Sequence, residues 1–407
     1  MAANAEYVES LADIGIDCPV TVASEDFEPI PMHYLNHAAC GPVSDSTLQT
    51  IHNYLDAEQK LGGYGAAKQM HQHIAQVYRK IACAINAAPE HIALTQGNSD
   101  GWSCVVNAMD WRQGGRILVA RNEWGGNLGI LMHLRTHYGV QIAEIPCDAD
   151  GLIDLDALET LLQVPTSLVV LTWFSSNSPL VQPAQAIGQL CTRYGTPLLI
   201  DAAQAMGQWP VDVQALQCAA LTAPGRKWLR GPRGTGFVYV HPDFLPSLRP
   251  AGADHFSRPW QAEDIWAYRE DARRLELSEA SIALRLGLGN ALDAWSSLGI
   301  AHVQAQIQQR ATWLRNALLK LPALKVHIPQ GNLSGIVTFE CLSLPNASVH
   351  AGVQRRGIEA ALCPAAFTPW DMRAKQLDSV LRLSPSYDTS WESLQLAVDA
   401  LEDALLQ

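Results

Sequence analysis

After Pro42 the apolar positions recur at helical intervals, first from Ser44 to Leu61 and then from Ala66 to Ile85, where Met70, Ile74, Val77 and Ile81 share one face. Two helices are predicted to lead the first domain. Beyond them, short apolar runs alternate with helical ones: Arg116 to Ala120, Ile142 to Cys147, Ser167 to Trp173, Thr196 to Ile200, Ala219 to Thr222 and Gly236 to Val240. Continuous apolar strands joined by helical crossovers predict a largely parallel sheet covered on both faces. Past Leu275 the pattern changes to long helical segments, Ser278 to Leu298 and Val303 to Leu319. These are followed by a strand at Gly335 to Glu340, a helix at Ala347 to Arg356 and a strand at Val380 to Ser384. That mixed order predicts a smaller α+β domain. Thr389 and Glu392 read as a capping box ahead of a last helix, Leu394 to Leu406. The expected division is an N-terminal segment, 1–35, packing on the small domain, a large domain, 36–275, and a small C-terminal domain, 276–407.

Composition narrows the possible partners. With 407 residues, 48% hydrophobic and 17% charged, the chain can bury a sizeable core and is not disordered. Lys and Arg number 28 against 40 Asp and Glu, a net charge of −12, which opposes binding to nucleic acid or to an anionic membrane surface. No apolar run approaches the ~20 residues of a membrane span. The stretch Met1 to Asp17 carries Glu6, Glu9 and Asp13 and does not resemble a secretory signal. Nine scattered cysteines without a Cys-x-x-Cys pair suit reduced thiols, so a cytoplasmic location is expected. No metal site is predicted. The acidic run Asp148, Asp150, Asp154 and Asp156 breaks the calcium-loop pattern, and His71 and His73 cannot share one helical face.

Candidate chemistry concentrates in two segments. Leu198-Leu199-Ile200-Asp201-Ala202-Ala203-Gln204 would end a buried strand with a carboxylate at its carboxyl end, where open α/β sheets bind ligands. Lys227 follows in Gly225-Arg226-Lys227-Trp228-Leu229-Arg230-Gly231-Pro232-Arg233-Gly234-Thr235-Gly236, whose glycines and proline imply a tight turn into the next strand. Spacing alone leaves a structural ion pair or a surface lysine equally open.

The strings Asp201-x-x-Gln204 and Arg226-Lys227-Trp228-Leu229-x-Gly231-Pro232-x-Gly234-x-Gly236 resemble the class V aminotransferase family of pyridoxal 5'-phosphate enzymes, and the resemblance extends from Tyr34 to Asp399. Its members include cysteine desulfurases, selenocysteine lyase, isopenicillin-N-epimerase-like proteins and hercynylcysteine sulfoxide lyases. The resemblance implies an α/β fold of the fold type I class, with a mostly parallel sheet in the large domain. It also implies that Lys227 forms the Schiff base, Asp201 pairs with the protonated ring nitrogen and Gln204 hydrogen-bonds the ring 3-oxygen. The turn Thr95-Gln96-Gly97-Asn98-Ser99-Asp100-Gly101 precedes a helical run and would by itself be a plain N-cap by Ser99 or Asp100. By resemblance it is the phosphate turn, with Asn98 and Ser99 as ligands and Arg226 and Thr222 as further candidates. Trp124, in Arg121-Asn122-Glu123-Trp124-Gly125-Gly126-Asn127, falls where the family stacks a residue on the ring. Desulfurases usually have histidine there, so Trp124 points toward the epimerase and sulfoxide-lyase branch.

In Leu381-Arg382-Leu383-Ser384, alternation sets Arg382 and Ser384 opposite the leucines. The resemblance makes Arg382 the ligand of the substrate α-carboxylate. Asn36 and His37 match segments that line the site, and the turn Gly62-Gly63-Tyr64 matches one supplied by a partner subunit, so a homodimer is expected. Cys363 lies further from Arg382 than the persulfide cysteine of desulfurases, and its default reading is a small buried thiol. The expected reaction is β-elimination at a cysteine-derived amino acid. Transamination, epimerisation, desulfuration through Cys363, or a silent binding protein are the alternatives.

Overall fold

The structure, a computed structural model, describes residues 33–250 and 252–406. The expected packing of segment 1–35 falls, up to residue 32, outside the described residues. In chain order the strands are β1 (His33–Tyr34), β2 (Ile92–Thr95), β3 (Arg116–Val119), β4 (Gln141–Glu144), β5 (Leu168–Thr172), β6 (Leu198–Asp201), β7 (Ala220–Pro224) and β8 (Gly236–Val240). They continue with β9 (Trp260–Ala262), β10 (Ile265–Trp266), β11 (Leu324–Val326), β12 (Val337–Cys341), β13 (Ile358–Glu359), β14 (Ala361–Pro364) and β15 (Ser379–Leu383). The helices are α1 (Asp45–Gln69), α2 (His71–Ala84), α3 (Asn98–Ala108), α4 (Gly125–Tyr138), α5 (Leu155–Leu162) and α6 (Ala184–Arg193). After them come α7 (Val213–Leu216), α8 (Ile282–Leu298), α9 (Ile300–Leu318), α10 (Asn346–Gln354), α11 (Pro369–Ala374) and α12 (Trp391–Leu405).

The seven-stranded sheet runs β2-β8-β7-β6-β5-β3-β4. From β4 to β7 every pair is parallel, and β8 and β2 are antiparallel to their neighbours. Successive residues of one strand enter different cores: Val169 and Leu171 join the layer that includes α2 and α8, whereas Leu168 and Val170 join the layer with α3 and α4. Burial on both faces is why these strands read as unbroken apolar runs. The chain order reverses beside β3, and the crevice beyond the carboxyl ends of β3, β5 and β6 is the expected place for a ligand.

A second sheet, β11-β12-β15-β14, is antiparallel throughout and carries its own core with α9, α10 and α12. Strand β1 pairs with β13, and Asn36 bridges Ser384, so the start of the described chain is bound to this second sheet. Helix α8, grouped by sequence with the small domain, instead packs on α1 and α2 and buries Leu288 and Leu292 in the core of the large sheet. No described helix is long and apolar enough to cross a membrane.

Local details differ from expectation where a single residue decides the backbone. α1 continues beyond Leu61 across a kink at Gly62, whose φ of 70° is open to glycine and unfavourable for other residues. The last helix is capped by Ser390, which accepts from Ser393 N, while Thr389 accepts from Ser386 N instead of forming the expected box. At α3 the cap residue is Gly97, with no side-chain cap; Asp100 accepts from Gln96 N, and Ser99 makes no cap.

Candidate active site

Thr172, Asp201 and Thr222 lie side by side as successive partners across the parallel strands β5, β6 and β7. Asp201 is only 3% exposed. Its Oδ2 accepts from Asn98 Nδ2 at 2.8 Å and Asn127 Nδ2 at 2.9 Å, and its Oδ1 accepts from Ala203 N at 2.9 Å. Three donors of this kind fix the orientation of the buried carboxylate.

Lys227 enters from the turn after β7. Gly225 N donates to Thr235 O and Gly231 N to Gly225 O, both at 2.8 Å, so the segment folds back on itself and its lysine has a fixed origin. The loop at Gly41 closes on the same turn, with Gly41 N donating to Arg226 O at 2.7 Å. A Cβ at Gly41 would lie 2.6 Å from Lys227 O, a contact that only glycine avoids. Among the described residues the Lys227 amine makes no hydrogen bond or ion pair. Desolvation, with the positive charges of Arg226 and Arg382, lowers its pKa to about 7 against the opposing pull of Asp201. The Arg226 pKa is lowered as well, chiefly by burial, and its guanidinium donates to Ala39 O.

A small cavity connects these groups, with Trp124, Phe174, Ser176 and Thr368 completing its walls around Asp201 and Lys227. A larger open groove near Trp111, His133 and Arg249 contains none of the unpartnered buried polar atoms described next. Of the twelve such atoms among the described residues, five lie at or beside the smaller site: Asn98 Oδ1, Asn127 Oδ1, Thr222 Oγ1, Thr368 Oγ1 and Arg382 Nε. Buried polar atoms are rarely left unpaired unless a ligand meets them. α3 also points an uncapped N-terminus at this cavity, a natural position for a phosphate.

Arg382 is 2% exposed and forms no ion pair among the described residues. Its Nη1 donates to Ser176 O and its Nη2 to Asn36 Oδ1, each at 3.1 Å. A buried guanidinium without an acid nearby matches an incoming carboxylate.

Residues 33–396 match the family described as Aminotransferase class-V. The chain belongs to that family. Class V aminotransferases are pyridoxal-phosphate enzymes, so this protein is an enzyme with pyridoxal 5'-phosphate as its cofactor, and the lysine, carboxylate and unpaired polar atoms of the cavity fit that group. The chain is 25% identical over 379 residues to a probable cysteine desulfurase of Methanothermobacter thermautotrophicus, covering 91% of this chain and 94% of the relative. It is 27% identical over 345 residues to a cysteine desulfurase of Escherichia coli K12, covering 81% and 82% respectively. In fold it resembles an apo cysteine desulfurase of Thermococcus onnurineus, with TM-score 0.85, 19% identity and 92% and 94% of the two chains covered. It also resembles the cystine C-S lyase C-DES bound to its product cysteine persulfide, with TM-score 0.83, 24% identity and 91% and 97% covered.

Within this class V site most of the residues singled out by sequence come together, though not always as expected. Asn98 directs its side-chain amide to Asp201 instead of the phosphate position. Gln204 lines the cavity, but its Nε2 donates to Ala38 O at 2.9 Å and its Oε1 accepts from Trp228 Nε1 at 2.8 Å, leaving one amide hydrogen for a ligand. Thr222 is fully buried beside Asp201 and is not part of the cavity wall. Ser99, Trp124 and Arg226 line the cavity, and Trp124 meets Phe367 with ring centroids 5.0 Å apart. His37 is buried against Ser384 O, and burial followed by the charge of Arg230 lowers its pKa to about 4, so it is neutral. Tyr64 is 97% exposed and does not reach the cavity of its own chain.

Sequence reasoning passed over Glu123 and Asn127, which flank Trp124, and Thr368. An acid in a turn and an amide in the first turn of a helix have no periodicity to reveal them, and only the chain of contacts from Glu123 through Asn127 to Asp201 marks them.

Proposed function

We propose that the protein is a C–S lyase that acts on a cysteine-derived amino acid by β-elimination, with the site residues in the roles that follow. The observation that carries this reading is the pairing of a lysine whose pKa is lowered to about 7 with a buried arginine that has no acidic partner. Arg382 binds the substrate α-carboxylate, its fork held by Asn36 and Ser176 O. Bound pyridoxal phosphate supplies an aldehyde that captures the substrate amine and a cationic ring that accepts the electron pair left at Cα. Asp201 would face the ring nitrogen and favour its protonated form, Trp124 would pack on the ring face, and the α3 N-terminus with Ser99 and Arg226 would hold the phosphate. The neutral Lys227 amine removes the α-proton. The Cβ–S bond then breaks, sulfur leaves with its electron pair, and the three-carbon remainder hydrolyses to pyruvate and ammonia.

The relatives named cysteine desulfurase make desulfuration the second reading. Cys363 disfavours it: the residue lies inside β14, paired with Val380, is 0% exposed, and burial raises its thiol pKa. A thiol that must attack substrate sulfur as a thiolate needs the opposite environment. Cys363→Ser is therefore expected to keep more than half of the activity. A panel of S-substituted cysteines and their sulfoxides, scored separately for pyruvate, sulfide and keto acid, tests the assignment. Pyruvate from at least one substrate supports elimination. Keto acid alone, or sulfide that disappears in Cys363→Ser, overturns it.

A homodimer and a reducing, cytoplasmic setting complete the proposal. Tyr64, beside the Gly62 kink, is almost fully exposed, and Leu55 and Leu61 near it in sequence are half exposed, which suits a surface that meets a second copy of the chain. The eight described cysteines are all free thiols, which supports a reducing compartment.

A further inference from the structure

A second carboxyl group lies behind Asp201, and the mechanism above does not use it. Glu123 is 0% exposed in the turn between β3 and α4. Its Oε1 accepts from Asn127 Nδ2 and Thr172 Oγ1, both at 2.7 Å, and from Trp124 N at 3.2 Å, while Oε2 accepts from Thr172 N at 3.2 Å. Asn127 Nδ2 also donates to Asp201 Oδ2 at 2.9 Å, so one amide group joins the two carboxyls. With Asn98 as the second donor, the lone pairs of Asp201 Oδ2 are filled. Oδ1 accepts only from Ala203 N, which leaves it an open acceptor direction.

Glu123 makes no ion pair among the described residues. Facing it are Asp201 from β6, the neutral Thr172 from β5, and the neutral Asn127 and Trp124 of its own segment. Two carboxyls in one buried network repel when both are ionised, and a cation placed on one of them relieves that repulsion. A protonated ring nitrogen at Asp201 Oδ1 would be such a cation.

We propose that Glu123 is a positioning residue for the cofactor ring: through Asn127 it dictates which oxygen of Asp201 meets the ring nitrogen, and its buried negative charge raises the proton affinity of that pair. The proposal rests on the reading that Asp201 faces the ring nitrogen. In the cofactor-free protein, burial and then the charge of Asp201 push the Glu123 pKa up to about 7. Cofactor binding therefore displaces a proton from Glu123 near neutral pH.

The test uses Glu123→Gln, Asn127→Ser and Asp201→Asn beside the unaltered protein. Calorimetry of pyridoxal phosphate binding to cofactor-free protein, in buffers of different ionisation enthalpy near pH 6.5, counts protons released. Absorbance titration of the loaded protein reports ring protonation. Glu123→Gln is expected to reduce proton release, weaken cofactor binding about tenfold and shift ring titration about one unit toward acid, an equivalent tenfold change. Asn127→Ser, which breaks the relay but keeps Glu123, is expected to shift the ring titration in the same direction, and it decides the matter if Glu123→Gln does not fold. Ring titration and proton release unchanged in the folded variants would overturn the proposal. If Asp201→Asn also leaves ring titration unchanged, the assignment of Asp201 itself is wrong; a shift in Asp201→Asn alone removes only the role of Glu123.

Discussion

Replacing Lys227 with alanine lowers kcat by about 10³-fold or more, within the range lost when a positioned general base is removed. The variant still binds pyridoxal phosphate through the phosphate and ring contacts, but the visible band of the covalently held cofactor disappears. A separate effect is expected without cofactor. The Lys227 pKa is lowered to about 7 from its ordinary 10.5, so the fold disfavours the ammonium form. Stability linked to this residue is fully present above pH 10.5 and is lost as pH falls through about 7. Cofactor-free Lys227→Ala should therefore gain in melting temperature relative to the unaltered protein as pH falls below 10.5, with the full gain below about pH 7. Differential scanning at pH 6 and pH 10.5 measures the sign directly. Equal behaviour of the two proteins at both pH values would show that the amine is not held in a desolvated site.

Replacing Arg382 with alanine is expected to raise KM for amino-acid substrates by about 10²-fold to 10³-fold, the scale of losing one partner of a buried charge pair. The change falls mainly on KM because the guanidinium holds the carboxylate before and after Cα–H cleavage alike. Removing Arg382 also leaves Ser176 O and Asn36 Oδ1 without their donor. Arg382→Lys therefore accompanies it, to restore the charge without the fork. A substrate analogue lacking the carboxylate separates binding from folding. The unaltered enzyme should discriminate against it strongly, and Arg382→Ala should lose most of that discrimination. Undiminished discrimination would place the carboxylate elsewhere.

The central parallel strands β5, β6 and β7 were legible because each is buried along its whole length and so forms a nearly unbroken apolar run. Strand β2, absent from the sequence reading, is four residues long and pairs only with β8 at the edge of the sheet. The hairpin β9–β10 exposes every one of its residues, so alternation had no apolar face to mark. At the site, Lys227, Asp201 and Arg382 stood out through motif and strand register. The contacts that orient them did not: Asn98 stood out only as a phosphate ligand, and its amide meets the Asp201 carboxylate because α3 begins beside the end of β6. Gln204 shows the converse. It was singled out by motif and lines the cavity, but the amide is anchored to Ala38 O and Trp228, contacts that depend on how separate loops close.

Borohydride reduction of the cofactor-loaded protein, followed by proteolysis and mass mapping, tests the central claim most directly. The account predicts one pyridoxyl group per chain, on the peptide that contains Lys227, and none in Lys227→Ala. A label on a different lysine, or no label on the loaded protein, would contradict it.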